Sequence, residues 1–208
     1  MRIGIVGAGH IGATCAELFV RAGHDVMLSN SRGPDSLSEL ARELGPTAAT
    51  GTVEQAAGFG EPVVVAIPYG RYRALPAPPF SGKIVIDAMN YYPERDGEVN
   101  FGSLTSSELV ARHLKGARVV KSFNTMQYKT LGSKALPDRP LEDRLALYVA
   151  GDDRNAKAVV AHLIEEIGFA PFDTGSLYDG GLLQQPGSPV YTKDLTLRQA
   201  RATVGSGR

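Results

Sequence analysis

Short apolar runs alternate with amphipathic stretches along nearly the whole chain. Arg2–Val6 is apolar and stops at Gly7, the pattern of a buried parallel strand. Ile11, Cys15, Leu18, Phe19 and Ala22 then recur at helical spacing, and Gly23 closes that helix. Asp25–Ser29 reads as a second strand. A helix is predicted from about Ser36 to Leu44, with Ser36 and Glu39 as a capping box and Gly45-Pro46 as its stop. Pro62–Ile67 and Lys83–Asp87 are further buried strands, followed by a polar loop over Ala88–Ser103. Thr105 and Glu108 form another capping box, opening a helix that ends near Leu114. Arg118–Phe123, Leu145–Ala150 and Phe169–Phe172 complete the strands, and Asp152 or Asp153 caps a helix running to Ile167. Gly175–Pro189 reads as loop, and Gly205–Arg208 as a frayed tail. Strands alternating with helices predict an α/β chain: a doubly wound, Rossmann-type fold on a mostly parallel sheet. Residues 1–173 form the nucleotide-binding domain in this reading. Residues 174–208 form an extension that completes the site without being a domain of their own.

Gly7-Ala8-Gly9-His10-Ile11-Gly12 is a G-x-G-x-x-G that follows a strand and opens a helix, the context that makes this motif specific for a dinucleotide. Gly7 allows the tight turn, Gly9 lets the backbone approach a pyrophosphate, and Gly12 lets the helix pack on the strand. The helix N-terminus then meets the anion, with His10 and Ile11 contributing backbone groups. At the end of the second strand an NAD site usually carries an acid for the ribose 2′-hydroxyl. Here that place holds Asn30, Ser31 and Arg32, which suit a 2′-phosphate and therefore NADP(H).

Ligands of such sheets lie beyond the carboxyl ends of the strands. Ala66, Ile67, Pro68 and Tyr69 are expected to line the ribose and nicotinamide, with Asn90 nearby. Phe123, Asn124, Thr125 and Met126 are expected to face the reacting ring from the other side. Phe123 and Met126 would be an apolar floor, and Asn124 a donor to a ring carbonyl. The alternative for Phe123 and Met126 is a place in the core. No residue stands out as catalytic. Lys121 is either a catalytic lysine or, the favoured reading, half of a strand-end salt bridge. His24, His113 and His162 are expected to be exposed. An absent general acid suits transfer between two redox cofactors, whose rings carry the chemistry.

Charge and cysteine content narrow the classes. The 208 residues hold 22 Lys+Arg against 22 Asp+Glu, so no basic excess points to nucleic acid or a membrane surface. No apolar run reaches the roughly 18 residues of a membrane helix, and no signal peptide is expected ahead of the strand at Arg2. The single cysteine fits a reducing compartment. No Cys or His spacing suggests a metal. A cytoplasmic protein is predicted.

The segments GAGHIG, SNSRGP, VVVAIPY, DAMNYYPERDG, VVKSFNT, VAGDD and DTGSL together resemble the coenzyme F420-dependent NADP oxidoreductases over nearly the whole chain. The resemblance implies a homodimer, NADP held by Gly7–Gly12 with Ser31 and Arg32, the nicotinamide beside Ile67-Pro68, and hydride exchange with a deazaflavin. Archaeal members carry a histidine where this chain has Asn124. VVKSFNT and the NYYPE stretch are also similar to the NADPH-binding domain of the six-transmembrane ferric reductases, which pass hydride to a flavin such as FMN or FAD. A non-catalytic NADPH sensor is the alternative from another class.

Overall fold

The computed structural model describes residues 1–205. Its strands are β1 (Arg2–Val6), β2 (Asp25–Ser29), β3 (Ala48–Thr50), β4 (Val63–Val65), β5 (Ile84–Asp87), β6 (Arg118–Lys121), β7 (Ala146–Gly151) and β8 (Ala170–Gly175). They form one eight-stranded sheet in the order β3-β2-β1-β4-β5-β6-β7-β8. Neighbours are parallel throughout, except that β6 and β7 are antiparallel, with Val120 opposite Gly151 and Lys121 opposite Ala150. The strand order reverses between β1 and β4, and this switch point fixes where a ligand crevice opens.

The helices are α1 (His10–Arg21), α2 (Ser38–Leu44), α3 (Val53–Phe59), α4 (Pro93–Asp96), α5 (Ser106–His113), α6 (Tyr128–Ser133), α7 (Arg154–Glu166), α8 (Asp179–Leu183) and α9 (Leu197–Gly205). The central strands are buried on both faces, and their period of two sends alternate residues into two cores. Val64, Ile84, Ile86 and Val120 join the core that holds α1 and α7. Val63, Val65, Val85 and Val119 join the opposite core with Tyr69, Phe80 and Val110. Cys15 is fully buried on the inner face of α1, where burial pushes its thiol up to about 12, so it packs as an inert group. No helix among the described residues is long and apolar enough to cross a membrane.

The doubly wound fold is the one expected from the sequence, but several local expectations fail for identifiable reasons. The Ser36–Glu39 capping box does not form. Ser36 donates to the Gly33 carbonyl (2.7 Å) and accepts from Asn30 Nδ2 (2.9 Å), so its hydroxyl belongs to the turn before the helix. Pro34–Leu37 is a 3-10 turn, and α2 follows from Ser38. Strand β3 and helix α3 were not anticipated, although Thr52 and Gln55 close a complete capping box. The segment read as loop from Gly175 contains α8, and β8 extends to Gly175. Strand β6 ends at Lys121, two residues early, because Phe123 turns into the left-handed region at φ 62°. His24 is buried rather than exposed. Its ring meets the N-terminal amine at 3.0 Å and Glu166 at 3.2 Å. Of the tail expected to fray, Gly205 ends α9 and residues 206–208 lie outside the described residues.

Candidate functional site

The three motif glycines do different work. Gly7 sits at φ 101° and donates to the Ser29 carbonyl at 2.9 Å; a Cβ there would lie 2.4 Å from the Ala66 carbonyl oxygen. At Gly12 a Cβ would lie 1.8 Å from the Gly7 carbonyl oxygen. Both positions need glycine for the fold itself. Gly9 differs: its backbone is ordinary (φ −77°, ψ −168°), and a Cβ there would meet nothing within 4 Å. Neither strain nor packing demands glycine there, so the space in front of it is what the missing side chain preserves. Gly9 is the N-cap of α1, offers no side-chain cap, and is followed by a first turn free of acids. The first amides of a 12-residue helix therefore face an open place with the positive end of its dipole. These features fit a dinucleotide pyrophosphate. His10 is exposed, and its ring stacks on Tyr128 (centroids 4.2 Å apart, planes at 12°), while Ile11 packs against the α1 core.

At the end of β2, Asn30 builds the turn instead of offering its amide outward. Its Oδ1 accepts from the Arg32 amide at 2.9 Å and its Nδ2 donates to Ser36. That turn holds Ser31 and Arg32 exposed, and the Arg32 guanidinium has no hydrogen-bond or ion-pair partner among the described residues. A free cationic fork beside a hydroxyl, with no carboxylate at the strand end, is the chemistry a 2′-phosphate requires.

Across the switch point, the Ala66 amide donates to the Val6 carbonyl at 2.8 Å, which sets the end of β4 beside the glycine loop. Ala66 and Ile67 are half-buried and Pro68 is exposed. Tyr69, expected to line the ribose and nicotinamide, does not: its side chain is wholly buried, donates to the Ser106 carbonyl at 3.1 Å, and packs against Tyr72 and Tyr91. It shapes the wall from behind and does not line it.

The acceptor-facing segment also differs from expectation. Phe123 and Met126 are buried in the core, Phe123 with its ring 6.1 Å from that of Phe19, so neither forms an open floor. Asn124 is buried, and both its amide hydrogens are used, on Asn90 Oδ1 (3.0 Å) and the Gln184 carbonyl (2.8 Å). Asn90 returns a bond to the Asn124 carbonyl at 2.8 Å. Asn124 is therefore a cross-link between β5, β6 and the C-terminal extension. Thr125 is buried, and its carbonyl accepts from the Thr192 amide at 2.8 Å. Beneath this cross-link lies a charged network. Lys121 pairs with Asp87 at 3.3 Å and also donates to the Met89 carbonyl, while Ser107 donates to Asp87 at 2.6 Å. Burial draws the Lys121 ammonium below the ordinary lysine range, with the Asp87 charge opposing. Lys121 is thus the strand-end salt bridge that was favoured. Asp87, Ser107 and Gln184 gave no signal in the sequence, because each acts through a partner distant along the chain.

A glycine loop of this form, with a free arginine in the turn after β2, has the features of an NADP(H)-binding protein of Rossmann type. The model of the family described as NADP oxidoreductase, coenzyme F420-dependent, matches residues 2–91 of this chain. A hypothetical protein of Sinorhizobium meliloti is 33% identical, with 94% of this chain and 95% of that one covered and a TM-score of 0.81. An Arthrobacter protein, provisionally described as an F420-dependent NADP reductase, is 24% identical over 99% of this chain and 91% of its own, with a TM-score of 0.72; it shows the shared fold. The metalloreductase STEAP3 of Rattus norvegicus is 28% identical over 178 residues, 85% of this chain. This chain spans 34% of that protein, about a third of its length.

Proposed function

We propose that this protein transfers a hydride between NADP(H) and a deazaflavin (coenzyme F420) or flavin ring. The observation that carries the cofactor half is Gly9, an unstrained glycine kept clear of any neighbour at the N-terminus of a helix without first-turn acids. Ser31 and Arg32 supply the preference for the 2′-phosphate. Ile67 and Pro68 hold the nicotinamide, which supplies the hydride when bound. The acceptor half rests on the match of residues 2–91 to a family model, and the deazaflavin is favoured because that family is described by it. The Asn90–Asn124 cross-link fixes the acceptor-side backbone. The working unit is a homodimer, as the family resemblance implies, and sedimentation measures it.

The test follows NADPH absorbance with coenzyme F420, FMN and FAD in turn. Oxidation by one ring system supports the proposal and selects the acceptor. A second reading, an NADPH-dependent flavin or ferric reductase-like activity, is favoured by the metalloreductase relative. It predicts oxidation with FMN or FAD, passed on to added ferric ion, and none with F420. Tight NADPH binding without turnover on any acceptor would leave a sensor.

A further inference from the structure

Two tyrosine hydroxyls meet where the C-terminal extension closes over the carboxyl end of the sheet. Tyr92 follows Asn90 by two residues on the loop after β5. Tyr191 precedes Thr192, whose amide is bonded to the Thr125 carbonyl at the end of β6. The hydroxyls of Tyr92 and Tyr191 hydrogen-bond to each other across 99 positions of chain. The place is held firmly. Thr192, next to Tyr191, holds a positive φ of 54° as its amide makes the bond to Thr125. Arg95 lies over the Tyr92 ring, 4.9 Å from its centre, and donates to the Asn90 carbonyl at 2.6 Å. Arg95 is itself fixed by Asp96 at 2.7 Å, whose carboxylate also accepts from the Tyr92 and Gly70 amides. Arg95 and Asp96 are the charged groups the structure sets against the pair; Asp194, on the Tyr191 side, is turned to Thr130.

A pair of hydroxyls joined by one hydrogen bond keeps one O–H to give elsewhere. A negative charge left on the Tyr92 oxygen is met by the Tyr191 O–H and by the Arg95 guanidinium. We propose that Tyr92 is the proton donor of the reaction and that Tyr191 and Arg95 stabilise the phenolate it leaves. This rests on the hydride-transfer reading above. The atoms balance: the hydride carries its electron pair from the nicotinamide to the ring, and the ring nitrogen that gains charge takes the proton from the Tyr92 O–H. The phenolate is then reprotonated through Tyr191 from solvent. In the reverse direction Tyr92 accepts the proton. Burial, and then the bond to Tyr92, hold the Tyr191 phenol well above its ordinary value, which suits a group that stays protonated while supporting its partner.

The experiment compares wild type, Tyr92→Phe and Tyr191→Phe with F420 and with FMN as acceptors. It measures kcat, the solvent isotope effect, NADPH and ring affinities by titration, and thermal unfolding. Expected for Tyr92→Phe is a fall in kcat of about a hundredfold with both affinities and the melting temperature unchanged. Tyr191→Phe should lose about tenfold. Unchanged kcat in Tyr92→Phe would overturn the assignment. So would a loss of ring or NADPH affinity matching the loss of rate, because the pair would then be only a clasp between segments. Absence of NADPH oxidation in the wild type with either ring would instead overturn the functional reading, and the donor with it.

Discussion

The glycine-loop end of this crevice and its proposed acceptor end are built on opposite plans. At the glycine loop the ligand surface is backbone: Gly7, Gly9 and Gly12 within six residues, with helix amides behind them. At the acceptor end the surface is held by side chains reaching between remote segments: Asn124 to Asn90 and Gln184, Lys121 to Asp87, Tyr92 to Tyr191. The first plan serves any dinucleotide. The second ties remote segments together, and at its fully buried pairs, Lys121–Asp87 and Asn124–Gln184, removing one partner leaves the other stranded in the interior.

The sharpest test of this contrast separates Gly9 from Gly12. Gly9→Val should abolish NADPH and NADH binding while leaving the melting temperature near wild type, because its side chain enters only the ligand's space. Gly12→Ala should lower stability by about 1–3 kcal/mol or more, since the Gly7 carbonyl cannot yield. Calorimetric titration beside thermal unfolding measures both. Two variants that lose stability equally would show that Gly9 serves the fold.

At the acceptor end the expected loss is in stability. Lys121→Ala leaves Asp87 charged and buried, and should cost about 3–5 kcal/mol in denaturant unfolding. Adding Asp87→Asn to Lys121→Met should recover much of it. A loss under about 1 kcal/mol for the single variant would mean that water reaches the pair.

The smallest effect lies far from the site. Burial first, then the N-terminal amine, lowers the His24 pKa from its ordinary 6.5, with Glu166 opposing. The folded state thus favours the neutral ring. Its contribution is fully present above 6.5 and is lost as pH falls from there toward the lowered folded value. Between pH 8 and 5.5 wild type should lose about 1 kcal/mol or less that His24→Gln does not lose. Parallel pH curves for the two proteins would exclude His24 as the cause.

The same contrast decides what the sequence made legible. The β1–α1 unit was readable because its signals are local: strand, glycine spacing and helix fall within twenty residues. In the turn after β2 Ser36 misled, since its hydroxyl answers to Asn30 and not to the helix it precedes. Tyr69, Phe123 and Asn124 were placed on the right segments, but the direction of each side chain depends on partners such as Ser106, Phe19 and Gln184. No periodicity encodes such contacts. Helix α8 stayed hidden because DGGLL is five residues long and carries two glycines.

The central claim is that the turn after β2 selects NADP(H), and calorimetric titration of wild type and Arg32→Ala with NADPH and NADH tests it most directly. Wild type should bind NADPH more tightly than NADH. Arg32→Ala should lose about tenfold to a hundredfold for NADPH and almost nothing for NADH, as one charge-assisted bond to a 2′-phosphate dictates. Equal losses for both cofactors, or a wild type that binds them alike, would contradict the account.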